Sequence, residues 1–188
     1  MNEPIKLHVE QEVILRLILT EACAEMFTSS GFVVRLLDVS GPLPGRAHDI
    51  AGFIGFGGVV RGSLMIAGPK KLFRSTYPSE LSDGNSKRLS DPDLFDWTGE
   101  MANQILGRVK KGFCERGRDF DASTPTAMAG RELGRRFPGR AGALDLVFAV
   151  GGDVVSICFE ITPPADGKIF PVPAEPIDVS VEGDMFLF

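Results

Sequence analysis

Two stretches of this chain, residues 49–67 and 143–162, each hold a pair of apolar runs broken by consecutive glycines. In the first, DIAGFIGFGG is followed by VVRGSLMIAG, with Gly57-Gly58 between; in the second, ALDLVFAV and VVSICFEIT flank Gly151-Gly152-Asp153. Runs rich in β-branched and aromatic residues, joined by residues that tolerate positive φ, predict β-hairpins. Strands that come in hairpin pairs build an antiparallel sheet, and such a sheet needs a second layer over its apolar face. Two segments with helical periodicity can supply that layer. The expected fold is therefore α+β: a two-layer sandwich, a largely antiparallel β-sheet covered by two long helices. The chain shows no regular strand–helix alternation, which argues against a doubly wound parallel sheet.

The first helical segment, residues 9–28, has no Gly or Pro, reads as amphipathic and stops at Ser29-Ser30-Gly31. Residues 32–39 read as a strand and 40–48 as a loop. Residues 69–77 predict a short helix with Pro69 in its first turn, and 78–89 a polar loop. Residues 119–129 alternate weakly around Pro125, as in an edge strand or bulge. Residues 130–140 form a basic loop carrying Arg131, Arg135, Arg136 and Arg140. Five prolines from Pro163 onward predict an extended tail. The organisation expected is one domain over 1–165 and a Pro-rich C-terminal extension over 166–188.

A length of 188 residues suits one hydrophobic core, and 44% hydrophobic with 24% charged residues is ordinary for a globular chain. The net charge of −5 carries no basic footprint, so nucleic acid is not an expected partner. The three cysteines are scattered, and Cys23 and Cys158 sit in apolar runs as buried thiols would. His8 and His48 lack neighbours at ligand spacing, so no metal site is expected. The polar N-terminus is unlike a signal peptide, and charge interrupts every long apolar run, so the expected location is cytoplasmic with no membrane span.

The second helical segment, from Asp91 to about Glu115, has two faces of different character. Ser90 or Asp91 caps it, Pro92 lies in the first turn, and Asp93 is placed for a capping box with Ser90. At about 100° per residue, Leu94, Thr98, Met101, Ile105, Val109 and Gly112 form an inward stripe flanked by Trp97. Asp96, Glu100, Asn103 and Gly107 share the opposite side. Asn and Gly weaken a helix interior, Gly by about 1 kcal/mol relative to Ala, so this face suggests a surface shaped to meet something. Glu100 and Asn103 are neighbours at i, i+3. A carboxylate can pair with an ammonium, and an amide can orient a water for in-line attack on a phosphoryl group. Small Ala102 and Gly107 would let a partner approach closely. The glycines of 51–58 lack a P-loop lysine and a following helix, and suit a strand on which a helix packs closely.

The run Asp96-x-x-x-Glu100-x-x-Asn103, followed by Pro125 after 21 residues, resembles the D/S-xxx-E-xx-N…P pattern of the CheC/CheX/FliY family of chemotaxis phosphatases. The hairpin GVVRGSLMIA before it also resembles that family, and the likeness spans about residues 9–162. It is nearest to CheX, because the first helix has Glu21-Ala-Cys-Ala24 where CheC-like members carry a second E-xx-N. The resemblance implies dephosphorylation of a phosphorylated CheY-like receiver domain. Glu100 would pair with the regulator's lysine and Asn103 would position water as the catalytic residues. Asp96, Gly107 and Pro125 would meet the partner. It implies no cofactor in this chain, Mg2+ on the partner receiver, and a homodimer formed through the sheets. The rival reading is a non-catalytic receiver-binding or flagellar-switch module using the same helix.

Overall fold

The computed structural model describes residues 7–37, 48–78, 89–130, 133, 142–164 and 168–171. Of the loops expected over 40–48 and 78–89, residues 40–47 and 79–88 lie outside these residues, as do the four arginines of the basic loop, 165–167 and 172–188. Among the described residues, three helices and seven strands follow in the order α1 (Val9–Ser29), β1 (Val34–Leu37), β2 (Ile50–Gly58), β3 (Arg61–Gly68), α2 (Lys70–Ser75), α3 (Asp91–Cys114), β4 (Phe120–Ala122), β5 (Thr126–Ala129), β6 (Ala143–Val150) and β7 (Asp153–Thr162). Both glycine-centred hairpins form, as β2–β3 and β6–β7. Gly58, Gly151 and Gly152 supply the positive φ values at their ends, 134°, 56° and 88°.

The strands make one antiparallel sheet in the order β1-β6-β7-β3-β2-β4, with β5 also on β2. Residues 119–129 are neither a single edge strand nor a simple bulge. β4 pairs with Phe56–Gly58 and β5 with Ile50–Phe53, so two short strands share one neighbour. Pro125 lies in the break, where its missing N–H interrupts no ladder bond. Ser123 bridges the gap, donating its N–H to the Gly55 carbonyl at 2.9 Å and accepting the Gly55 N–H on Oγ at 3.0 Å.

Alternate strand residues such as Ile54, Leu64, Ile157 and Phe159 join the inward faces of α1 and α3 in the main core. The intervening positions Ala51, Met65, Ala67 and Cys158 form a smaller cluster on the sheet's other face. The glycines of β2 do let a helix approach. A Cβ built on Gly52 would lie 2.4 Å from the Thr98 carbonyl oxygen of α3.

Two further expectations need correction. α1 is not amphipathic: Leu15 and Leu19 are fully buried, yet Val9, Val13 and Leu17, spaced one turn apart, are 79%, 45% and 42% exposed. It is apolar around much of its circumference, so its contact with α3 and the sheet decides which side is covered. The stretch after Pro163 is not simply an extended tail. Ile169 and Phe170 are buried, the Phe170 N–H donates to Gln11 Oε1 at 2.6 Å, and Arg118 Nε donates to the Ile169 carbonyl at 2.6 Å. The Phe170 ring meets Phe113 near the end of α3 at 4.7 Å between centroids. Two buried apolar side chains and a hydrogen bond to the buried Gln11 amide oxygen hold these residues in place.

His48, just before β2, is also buried, 2.8 Å from Ser156 Oγ. Burial lowers its pKa below the ordinary 6.5, an effect partly opposed by Asp49. Between that lowered value and about 6.5 the unfolded chain binds the extra proton, so stability falls as pH drops through this window. Urea unfolding should therefore show wild type losing more stability than His48→Gln between about pH 7 and about pH 5. Equal slopes would show that His48 does not titrate differently on folding. Gly52→Ala should cost about 2 kcal/mol or more in the same assay, because backbone must move to admit the methyl group. Gly57→Ala, with nothing within 4 Å of its Cβ position, should be near neutral.

Candidate active site

α3 starts where the sequence predicts. The Ser90 hydroxyl accepts the Asp93 N–H and the Asp93 carboxylate accepts the Ser90 N–H, both at 3.3 Å, completing the capping box with Pro92 in the first turn. Asp91 and Asp93 place negative charge at the positive end of the helix dipole. Asp91 also takes Arg74 at 2.8 Å and Lys70 at 3.6 Å, tying α2 to this terminus. Leu94, Thr98, Met101, Ile105 and Val109 are fully buried, as the inward stripe requires. Trp97 is buried beside them and donates its indole N–H to Thr76 Oγ1 at 3.0 Å, so it belongs to the packing.

The opposite face reaches the surface. Asp96 and Gly107 are exposed, while Glu100 and Asn103 are half-buried. Asn103 Nδ2 donates to Glu100 Oε2 at 3.3 Å. The amide oxygen of Asn103 takes no hydrogen bond from a described residue. A Cβ on Gly107 would meet nothing within 4 Å, so the surface beyond Asn103 is open. Ala102 does not contribute to that opening: it is fully buried, because it turns with the inward stripe, not with Asn103. Pro125 comes to α3 from the β4–β5 break, its Cβ 3.6 Å from where a Cβ on Gly99 would stand. It is thus packed on the residue before Glu100, although 26 positions away in sequence.

Two residues absent from the sequence reading belong to this neighbourhood. Gln104 Nε2 donates to Glu100 Oε1 at 3.1 Å. Arg108 Nη1 donates to the Gln104 carbonyl at 3.1 Å, and its buried Nε lies 3.5 Å from Glu25 Oε1 of α1 without the alignment of a hydrogen bond. The i, i+4 spacing of Glu100, Gln104 and Arg108 was the available signal. Further along the same face, Lys110 Nζ is 3.1 Å from Asp119 Oδ1 and 3.9 Å from Asp121 Oδ1. The hydrogen bond to Asp119 is the main cause that raises the Lys110 pKa and lowers that of Asp119. Among the described residues no three His, Cys, Asp or Glu are grouped to hold a metal, and no helix is long and apolar enough to cross a membrane.

The face thus offers a carboxylate acceptor beside an amide, on a rigid helix with open space next to it. Residues 50–149, more than half of the chain, match the family model described as chemotaxis phosphatase CheX. The chain belongs to the CheX family. Solved structures share its fold. Chemotaxis protein CheX from Vibrio vulnificus matches with a TM-score of 0.63 and 21% identity, over 79% of this chain and 95% of that one. CheX from Desulfovibrio desulfuricans gives 0.59 and 16%, over 81% and 99%. A CheC-like protein from Shewanella oneidensis gives 0.56 and 19%, over 81% and 98%. No curated protein matches. The CheX family assignment agrees with the α+β fold and antiparallel sheet expected from the hairpins.

Gly107→Leu separates docking from stability on this CheX-family helix. Leucine should stabilise the fold by roughly 0.8 kcal/mol through helix propensity. If a partner must approach here, the same change should raise the Kd for that partner at least about tenfold. A more stable variant with unchanged Kd would exclude Gly107 from the docking surface.

Proposed function

We propose that this domain accelerates hydrolysis of the phospho-aspartate of a CheY-like response regulator in chemotaxis or two-component signalling. The hydrogen-bonded Glu100–Asn103 pair on the outer face of α3 carries the reading. Membership of a chemotaxis phosphatase family supports it.

The receiver brings the phosphoryl group and most of its own active site. Glu100 pairs with the receiver's lysine ammonium and fixes the relative position of the two proteins. Asn103 reaches to the phosphoryl group, where its amide oxygen accepts a hydrogen bond from a water and holds that water in line. The water oxygen bonds to phosphorus as the bond to the aspartyl oxygen breaks. Aspartate leaves as a carboxylate, and the water's proton passes to phosphate or solvent. Such a transition state needs a placed nucleophile more than a strong base, which suits an amide. Mg2+ bound to the receiver would neutralise phosphoryl charge there; this chain supplies no ligand to it. Asp96 and Pro125 flank the pair and meet the receiver surface.

Phosphate release from phosphorylated receiver domains tests the proposal. Asn103→Ala should slow the accelerated reaction about a hundredfold with receiver binding retained. Glu100→Ala should weaken binding as well as lower the rate. An Asn103→Ala protein as fast as wild type would sink the mechanism. Tight binding by wild type with no acceleration would favour the non-catalytic receiver-binding or flagellar-switch module.

A further inference from the structure

Glu100 presents two carboxylate oxygens, and α3 satisfies them separately. Oε2 accepts from Asn103 Nδ2 at 3.3 Å, and Oε1 accepts from Gln104 Nε2 at 3.1 Å. The donors stand at i+3 and i+4, the two positions that share a face with Glu100. The chemistry proposed above asks different things of the two bonds. Asn103 must turn from Glu100 toward the phosphoryl group as the receiver docks. Its departure frees Oε2 for the incoming ammonium. Nothing in that exchange displaces Gln104, and Arg108 braces the turn that carries it through the Gln104 carbonyl.

We propose that Gln104 is a positioning residue, anchoring Glu100 Oε1 while Oε2 passes from Asn103 to the receiver's cation. This rests on the phosphatase reading and extends it to a residue outside the E-xx-N pattern. A carboxylate held by one oxygen keeps its orientation when the other changes partner. A carboxylate held by neither must be ordered at the moment of docking, which weakens association. Removing the anchor therefore acts on the encounter and not on the water that Asn103 holds. A hydrogen bond to a charged group governs about a tenfold change in such an equilibrium.

Two variants test this in the full-length chain. Gln104→Met keeps length and helix propensity but removes the amide. Gln104→Glu keeps the shape but sets a like charge one turn from Glu100. The readouts are Kd for a beryllofluoride-loaded CheY-like receiver domain and the single-turnover dephosphorylation rate at saturating enzyme. The Kd should rise about five- to tenfold in Gln104→Met and further in Gln104→Glu. The saturating rate should stay within about twofold of wild type, a split that loss of helix structure would not produce. Unchanged Kd in both variants, or a slower saturating rate at unchanged Kd, overturns the proposal. Asn103→Ala run in parallel distinguishes the two failures. Full activity there ends the Asn103 mechanism on which the anchoring role rests. Inactivity there, with wild-type behaviour of both Gln104 variants, ends only the anchoring role.

Discussion

The carbonyl of Thr98 occupies the space that a side chain on Gly52 would fill, and this contact seats α3 on the sheet. With the helix at this depth, Leu94, Met101, Ile105 and Val109 all lie fully within the core. A helix pinned on one side has no freedom to roll, because close-packed interiors resist partial shifts. Pro125 braces the next residue, Gly99, from the β4–β5 break. Glu100 therefore leaves a backbone held at two successive positions, one against the central sheet and one against its edge.

That seat explains how the candidate face can lie on the outer side of a firmly packed helix. The inner side of α3 supplies burial, and the capping box and Asp91 pairs secure its start. The outer side is thereby free to hold residues that a helix would not select for stability. Asn103 and Gly107 weaken the helix locally, and the inner stripe offsets the loss. A site on a rigid helix is held more closely than one on a loop, which suits the proposed role of completing an active site carried by another protein.

Much of this was legible in local pattern. The two hairpins, the extent and cap of α3, and its inward stripe all follow from periodicity and turn residues within a few positions of one another. The orientation of Glu100 and Asn103 follows from the same helical period. The misreadings share a different origin. The small size of Ala102 suggests an outward position, although its angular position on α3 turns it into the core. The apolar spacing of α1 suggests an amphipathic helix, although its exposed stripe of Val9, Val13 and Leu17 is as apolar as its buried side. The bond between Gln104 and Glu100 had an i, i+4 signal, but side-chain orientation had to select it from the other polar pairs on the helix.

The sequence alone determined which segments become strands and helices and which α3 residues share a face, because those properties repeat over two or 3.6 residues of the same segment. Only the tertiary structure decided that β4 and β5 divide β2 between them, that Pro125 rests on Gly99, and that Ile169 and Phe170 return to the core beside Gln11. Each of those contacts joins residues from separate elements. Their energies depend on shape and burial that exist only once the sheet has assembled, so no local pattern encodes them.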